Sequence, residues 1–190
     1  MKQTPILPFT LLLLFAPLFA ETDVEILSSL VKERFTSFSA DYIITDAEAG
    51  SSDTLHFAIL SPKFLLHSSE EEYLFDGEYF YSYFYGDDAA LRSADNPLPD
   101  FDPDSLLPAL QEKGNLTVKR ENRSFAVRIN FHDDERFDSL SVLFDADGTP
   151  LEFTVFSHSR TISGRIIEGS AKKPSPDEFI FHRNVEIIEE

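Results

Sequence analysis

Histidines, carboxylates and serines are the residues of this chain with a claim to chemistry, and their spacing gives each a structural reading. His56, His67, His132, His158 and His182 are scattered, and none pairs with another at metal-ligand spacing. His132, followed by Asp133, Asp134 and Glu135, comes nearest to a metal cluster, but a solvated turn accounts for it. Asp145-Ala146-Asp147-Gly148 opens like a calcium loop yet lacks the later ligands and the bidentate glutamate, which leaves a hairpin turn. A serine nucleophile needs a Gly-x-Ser-x-Gly elbow, whereas Ser163-Gly164 and Gly169-Ser170 stand alone. With 34 acidic residues, carboxylate pairs are too common to single one out, and the small size and absent Trp weigh against a glycosidase. The absence of cysteine removes disulfides, thiolate ligands and thiol nucleophiles together. The expectation is a protein that is not an enzyme and holds neither metal nor cofactor.

The charge balance, 34 acidic against 16 basic residues, makes nucleic acid a poor partner and repels anionic lipid surfaces. Solubility alone explains that charge equally well. The aromatic content, 19 Phe and 6 Tyr, exceeds what an ordinary core of this size needs.

At the N-terminus, Lys2 precedes an apolar run from Leu11 to Phe19 that closes on Ala20 before Glu21-Thr22-Asp23. Shorter than the roughly 20 apolar residues of a bilayer span, it reads as a cleavable signal peptide at residues 1–20, with a retained anchor as the alternative. Residues 21–190 then suit a single domain with a sizeable core, and export without disulfides fits a bacterial periplasm. Asn115-Leu116-Thr117 and Asn122-Arg123-Ser124 are formal glycosylation sequons only.

Thr22 with Glu25 three residues on forms a capping box, and Val24, Leu27, Val31, Phe35 and Phe38 recur at helical spacing behind it. After Ser39 the period becomes two, giving expected strands at 40–45, 54–60, 64–67, 73–75, 78–85, 116–120, 125–131, 140–144, 151–156 and 162–168. Tyr79, Tyr81, Tyr83 and Tyr85 alternate with Phe80, Ser82 and Phe84, so either both faces of that strand are covered or one meets a ligand. Between Gly86 and Pro108 an acidic, proline-rich crossover leads into a short helix capped by Asp102, with Leu106, Leu107 and Leu110 as its apolar side. Residues 172–177 read as a loop and 178–188 as a terminal strand or extended tail. An antiparallel meander of this length curls, and its short helices must cap the apolar inner side. The expected fold class is α+β: a strongly curved antiparallel sheet forming an incomplete, half-open β-barrel closed by short lid helices around an apolar cavity.

The order of several short segments resembles the LolA family of periplasmic lipoprotein carriers over nearly the whole of residues 21–190. They are Phe35-Thr36-Ser37-Phe38-Ser39-Ala40, Pro62-Lys63-Phe64, Tyr73-Leu74-Phe75-Asp76-Gly77-Glu78, Leu143-Phe144-Asp145-Ala146-Asp147-Gly148-Thr149-Pro150 and Pro176-Asp177-Glu178-Phe179-Ile180-Phe181. The resemblance implies a monomeric carrier that takes acylated lipoproteins from an inner-membrane ABC release complex and passes them to an outer-membrane receptor. It also implies an arginine directly before the strand-opening proline, bonded to the lid; this chain has Ser61 there.

The cavity residues expected on that basis are Leu55, Phe57, Ile59, Phe64, Leu66, Phe75, Phe80, Phe84, Phe125, Val127, Ile129, Val142, Phe144, Phe153 and Val155, with Val31, Phe35, Leu106, Leu107 and Leu110 in the lid. Each is equally what a core would contain. The alternative function is an exported LolA-like module that senses lipoproteins or binds a protein partner without transport.

Overall fold

A computed structural model of the chain describes residues 22–94, 111–132 and 137–189. It opens with helix α1 (Asp23–Thr36). The Thr22 N–H donates to the Glu25 carboxylate at 2.7 Å and the Glu25 N–H to the Thr22 hydroxyl at 3.3 Å, the reciprocal box expected from the spacing. The bonds from Thr22, backbone first, hold the Glu25 carboxyl below its usual pKa. Leu27, Val31 and Phe35 are the buried stripe of α1. Phe38, expected to continue that stripe, belongs to the first strand instead, because pairing with the next strand already begins at Ser37 opposite Leu60.

Strands follow as β1 (Ser37–Asp46), β2 (Ser51–Leu60), β3 (Lys63–His67), β4 (Glu71–Phe75), β5 (Phe80–Phe84), β6 (Ala89–Ser93), β7 (Gly114–Glu121), β8 (Ser124–Phe131), β9 (Ser139–Phe144), β10 (Pro150–Ser157), β11 (Arg160–Ile166) and β12 (Glu186–Glu189). They form one 12-stranded sheet in the order β12-β6-β5-β4-β3-β2-β1-β11-β10-β9-β8-β7. The sheet is curved but not closed into a barrel: β12 and β7 end it on opposite sides. Hairpins join most neighbours, as expected of a meander, and the β1–β11 pairing brings the two halves together.

The structure corrects the expected layout in two places. The segment read as pure crossover contains β6, whose five residues are too few to show a period. One pairing is parallel, β12 on β6, because the chain reaches that edge by returning along the back of the sheet. Of the terminal strand or extended tail expected over 178–188, the tail describes most of it: Ser175 caps a 3-10 turn (Pro176–Phe179) in a second capping box with Glu178, and strand pairing is confined to β12. The lid residues Leu106, Leu107 and Leu110 lie outside the described residues, and residues 111–113 are helical.

The β9–β10 hairpin shows how tightly α1 is seated. The Asp145 carboxylate accepts the N–H groups of Asp147 at 2.9 Å and Thr149 at 2.8 Å, so this sequence is the expected turn. Gly148 has φ +75°, and a Cβ there would lie 2.8 Å from the carbonyl of Leu30 in α1. Gly148→Ala therefore combines left-handed strain with overlap against helix backbone. The expected result is a loss of about 2–4 kcal/mol, read as a lower urea midpoint with an unchanged m-value.

Candidate apolar binding face

Strand register decides which side chains share a face, since directly opposed residues project the same way. Phe57 and Ile59 oppose Leu66 and Phe64, Phe64 opposes Phe75, and Phe75 opposes Phe80, with Phe84 at the other end of β5 opposite Glu71. In the other half, Phe125, Val127 and Ile129 oppose Phe144, Val142 and Leu140, and the latter pair opposes Phe153 and Val155. Tyr42 and Ile44 of β1 bridge the halves, opposite Leu55 and Gly164. Every expected cavity residue thus lies on one face, the inner face, against which α1 packs.

The residues on this face have different surroundings. Leu27, Val31 and Phe35 of α1 form one core with Phe38, Ala40, Tyr42, Ile59, Phe125, Val127 and Phe144. Val31 and Phe35, expected in the lid, are therefore core residues of this cluster. Leu55, Phe57, Val142 and Phe153 pack against it half-buried. The ring of Phe153 occupies the space that Gly164 leaves open and lies 5.8 Å from the Tyr42 ring. Tyr42 donates its hydroxyl to the Pro150 carbonyl at 2.9 Å, and burial pushes the phenol pKa up.

Beyond α1, which lies across β1, β2 and β7, the inner face continues as a strip of rings on β3, β4 and β5. Phe64 is 6.1 Å from Phe75 and 6.2 Å from Phe80. Tyr73 stacks on Phe80 at 6.2 Å and meets Phe84 edge-on. Phe64 and Phe75 are buried, Tyr73 and Phe80 half-buried, and Phe84 is 47% exposed, as is Leu91 at 39% on the same face of β6. The strip thus grades from core to open surface. Tyr73 and Leu91 were not among the expected residues, although their alternation with Phe75 and Ser93 places them on this face. The Tyr73 hydroxyl donates to Glu71 at 2.9 Å, and burial, with Glu71 adding to it, raises its pKa.

The tyrosine face of β5 is the outer one, and the C-terminal segment covers it. Phe181 stacks on Tyr81 at 4.9 Å, and Phe179 is buried with Ala58 and Leu74. Arg183 lies over the Tyr85 ring at 4.6 Å and donates to Glu72 at 2.8 Å, which raises its pKa. So the outer face of β5 is covered by the chain's own tail, while its inner face carries the ring strip and opens at Phe84.

The histidines are less scattered than their sequence positions imply. The turn at Ser61-Pro62 sets His56 directly opposite His67, their rings 6.4 Å apart. A two-residue turn centred there would have revealed the pairing. His158 contacts Asp138 at 2.6 Å, and His132 and His182 are exposed. Among the described residues, no group of three or more His, Asp or Glu is placed to hold a metal ion. Also among them, no helix is long and apolar enough to cross a membrane.

No family model and no curated protein sequence matches the chain. Solved structures do. An uncharacterized conserved protein from Thermus thermophilus aligns with a TM-score of 0.62 at 9% identity, covering 89% of this chain and all of that one. MucB aligns at 0.48 and 14% identity; 87% of this chain is covered, and it spans less than two thirds, 64%, of MucB. A putative outer membrane lipoprotein-sorting protein domain from Vibrio parahaemolyticus aligns at 0.38 and 11% identity, covering 82% of this chain and 95% of that one. What the Thermus alignment establishes is a fold shared along almost the whole chain.

Proposed function

We propose that this chain is a periplasmic lipoprotein carrier, exported through a cleaved signal peptide, that holds acyl chains against its inner face and performs no chemistry. The observation that carries this reading is the ring strip running from buried Phe64 and Phe75 to open Phe84 and Leu91. Such a strip offers an acyl chain continuous apolar contact, and each methylene transferred from water is worth about 0.8 kcal/mol. In this reading α1 and the segment containing Leu106, Leu107 and Leu110 border the bound chains. The protein works as a monomer that collects its cargo from an ABC complex of the inner membrane and gives it to an outer-membrane receptor, as the LolA resemblance implies. Where that family's arginine would reach the lid, Ser61 ties its backbone N–H to the Thr36 carbonyl at the end of α1, at 3.1 Å.

The test is native mass spectrometry of the protein with a triacylated lipopeptide, its unacylated counterpart, and a fluorescent apolar probe in competition. A 1:1 complex with the acylated form alone, displacing the probe, supports the proposal. Equal binding of both peptides points to a protein-recognition module, and binding of neither removes the carrier reading.

A further inference from the structure

On the outer face, away from the ring strip, a polar row crosses the sheet under the C-terminal segment. Register sets Asp41 of β1 opposite His56 of β2, His56 opposite His67 of β3, and His67 opposite Glu72 of β4. Asp41, His56 and His67 of this row line a pocket of about 690 Å³ together with Asp53, Tyr85, Lys172 and Glu178. His56 is the member that touches the tail. Its Nδ1 lies 2.6 Å from the Asp41 carboxylate and its Nε2 3.3 Å from Glu178 in the 3-10 turn.

Glu178 is fixed from its other side, because its second carboxylate oxygen accepts the Ser175 N–H at 2.8 Å in the capping box. A neutral imidazole donates from one nitrogen only and would present a lone pair to whichever carboxylate faces the other. Only the doubly protonated ring satisfies both contacts. We propose that His56 is a proton-operated latch: its protonated ring fastens the C-terminal segment to the back of the sheet, and deprotonation loosens it.

The groups facing His56 support that sign. The two groups in contact with the ring are carboxylates, Asp41 from β1 and Glu178 from the tail, and Asp53, Lys172 and His67 line the same pocket. His67 has its own partner, with its ring 5.9 Å from Tyr85. The latch holds more than a turn. The same segment carries Phe179, Phe181 and Arg183 across the outer face and ends in β12 on the edge of β6, where Arg92 donates to Glu189 at 3.1 Å.

Hydrogen exchange of the purified chain between pH 5.5 and 8, with rates converted to protection factors, reads the latch directly. In that window imidazoles titrate and ordinary carboxylates do not. The expected result is protection over residues 176–183 that falls about ten-fold as pH rises, while α1 stays constant. His56→Gln should abolish the dependence. His67→Gln and His182→Gln should retain it. Flat protection in the unmodified protein, survival of the dependence in His56→Gln, or its loss in either control overturns the latch. Ring ¹⁵N shifts of the unmodified protein give a check free of folding effects. His56 should show both nitrogens protonated at pH 6, and a singly protonated ring there, with the segment protected, also overturns the proposal.

Discussion

Phe38→Ala is expected to remove about 3–5 kcal/mol of stability, enough to leave a marginal domain largely unfolded. Phe38 is 1% exposed and joins the first strand to the helix before it: its ring lies 6.0 Å from Phe35 and 6.3 Å from Phe57. Truncation leaves a cavity walled by α1 on one side and paired strands on the other. Neither wall can collapse, because β1 is paired along its whole length with β2 and from Tyr42 onward with β11. Urea unfolding followed by circular dichroism checks this; a loss below about 1 kcal/mol would mean that α1 is not seated on β1 as described.

The sequence was most informative where one physical signal dominated. Alternation over β2, β8 and β10 gave the right face for Phe57, Val127 and Phe153, because a strand with one buried side repeats every two residues. The capping box of α1 was legible because it is local. Signals that depend on pairing across the chain were not. β6 is held by β5 on one side and β12 on the other, so its five residues owe their conformation to partners and not to a pattern of their own. The tail reads equally as a strand or an extended segment, because its apolar residues are too few to fix a period. Pro176 at the head of a capped turn, and packing of Phe179 against Ala58 and Leu74, decide between them. Likewise, the cross-strand His56–His67 pair depends on the length of a turn, which composition does not reveal.

The second large effect separates ligand-facing residues from core residues on the same face. Phe80 is half-buried, stacked on Tyr73 and near Phe64, where the ring strip opens. Phe80→Asp places a charged carboxylate among the rings of the apolar strip. Affinity for a triacylated lipopeptide should fall about 100-fold, with a much smaller stability loss than in Phe38→Ala. Phe156, 37% exposed on the outer face of β10 opposite Ser139 and Thr161, supplies the control. Phe156→Asp places the same charge on the other side of the sheet and should leave the affinity unchanged in the same titration. Equal weakening by both substitutions would mean that the inner face is not the acyl-binding side. A loss confined to Phe80→Asp assigns binding to the inner face, since both substitutions introduce the same charge on opposite sides of the sheet.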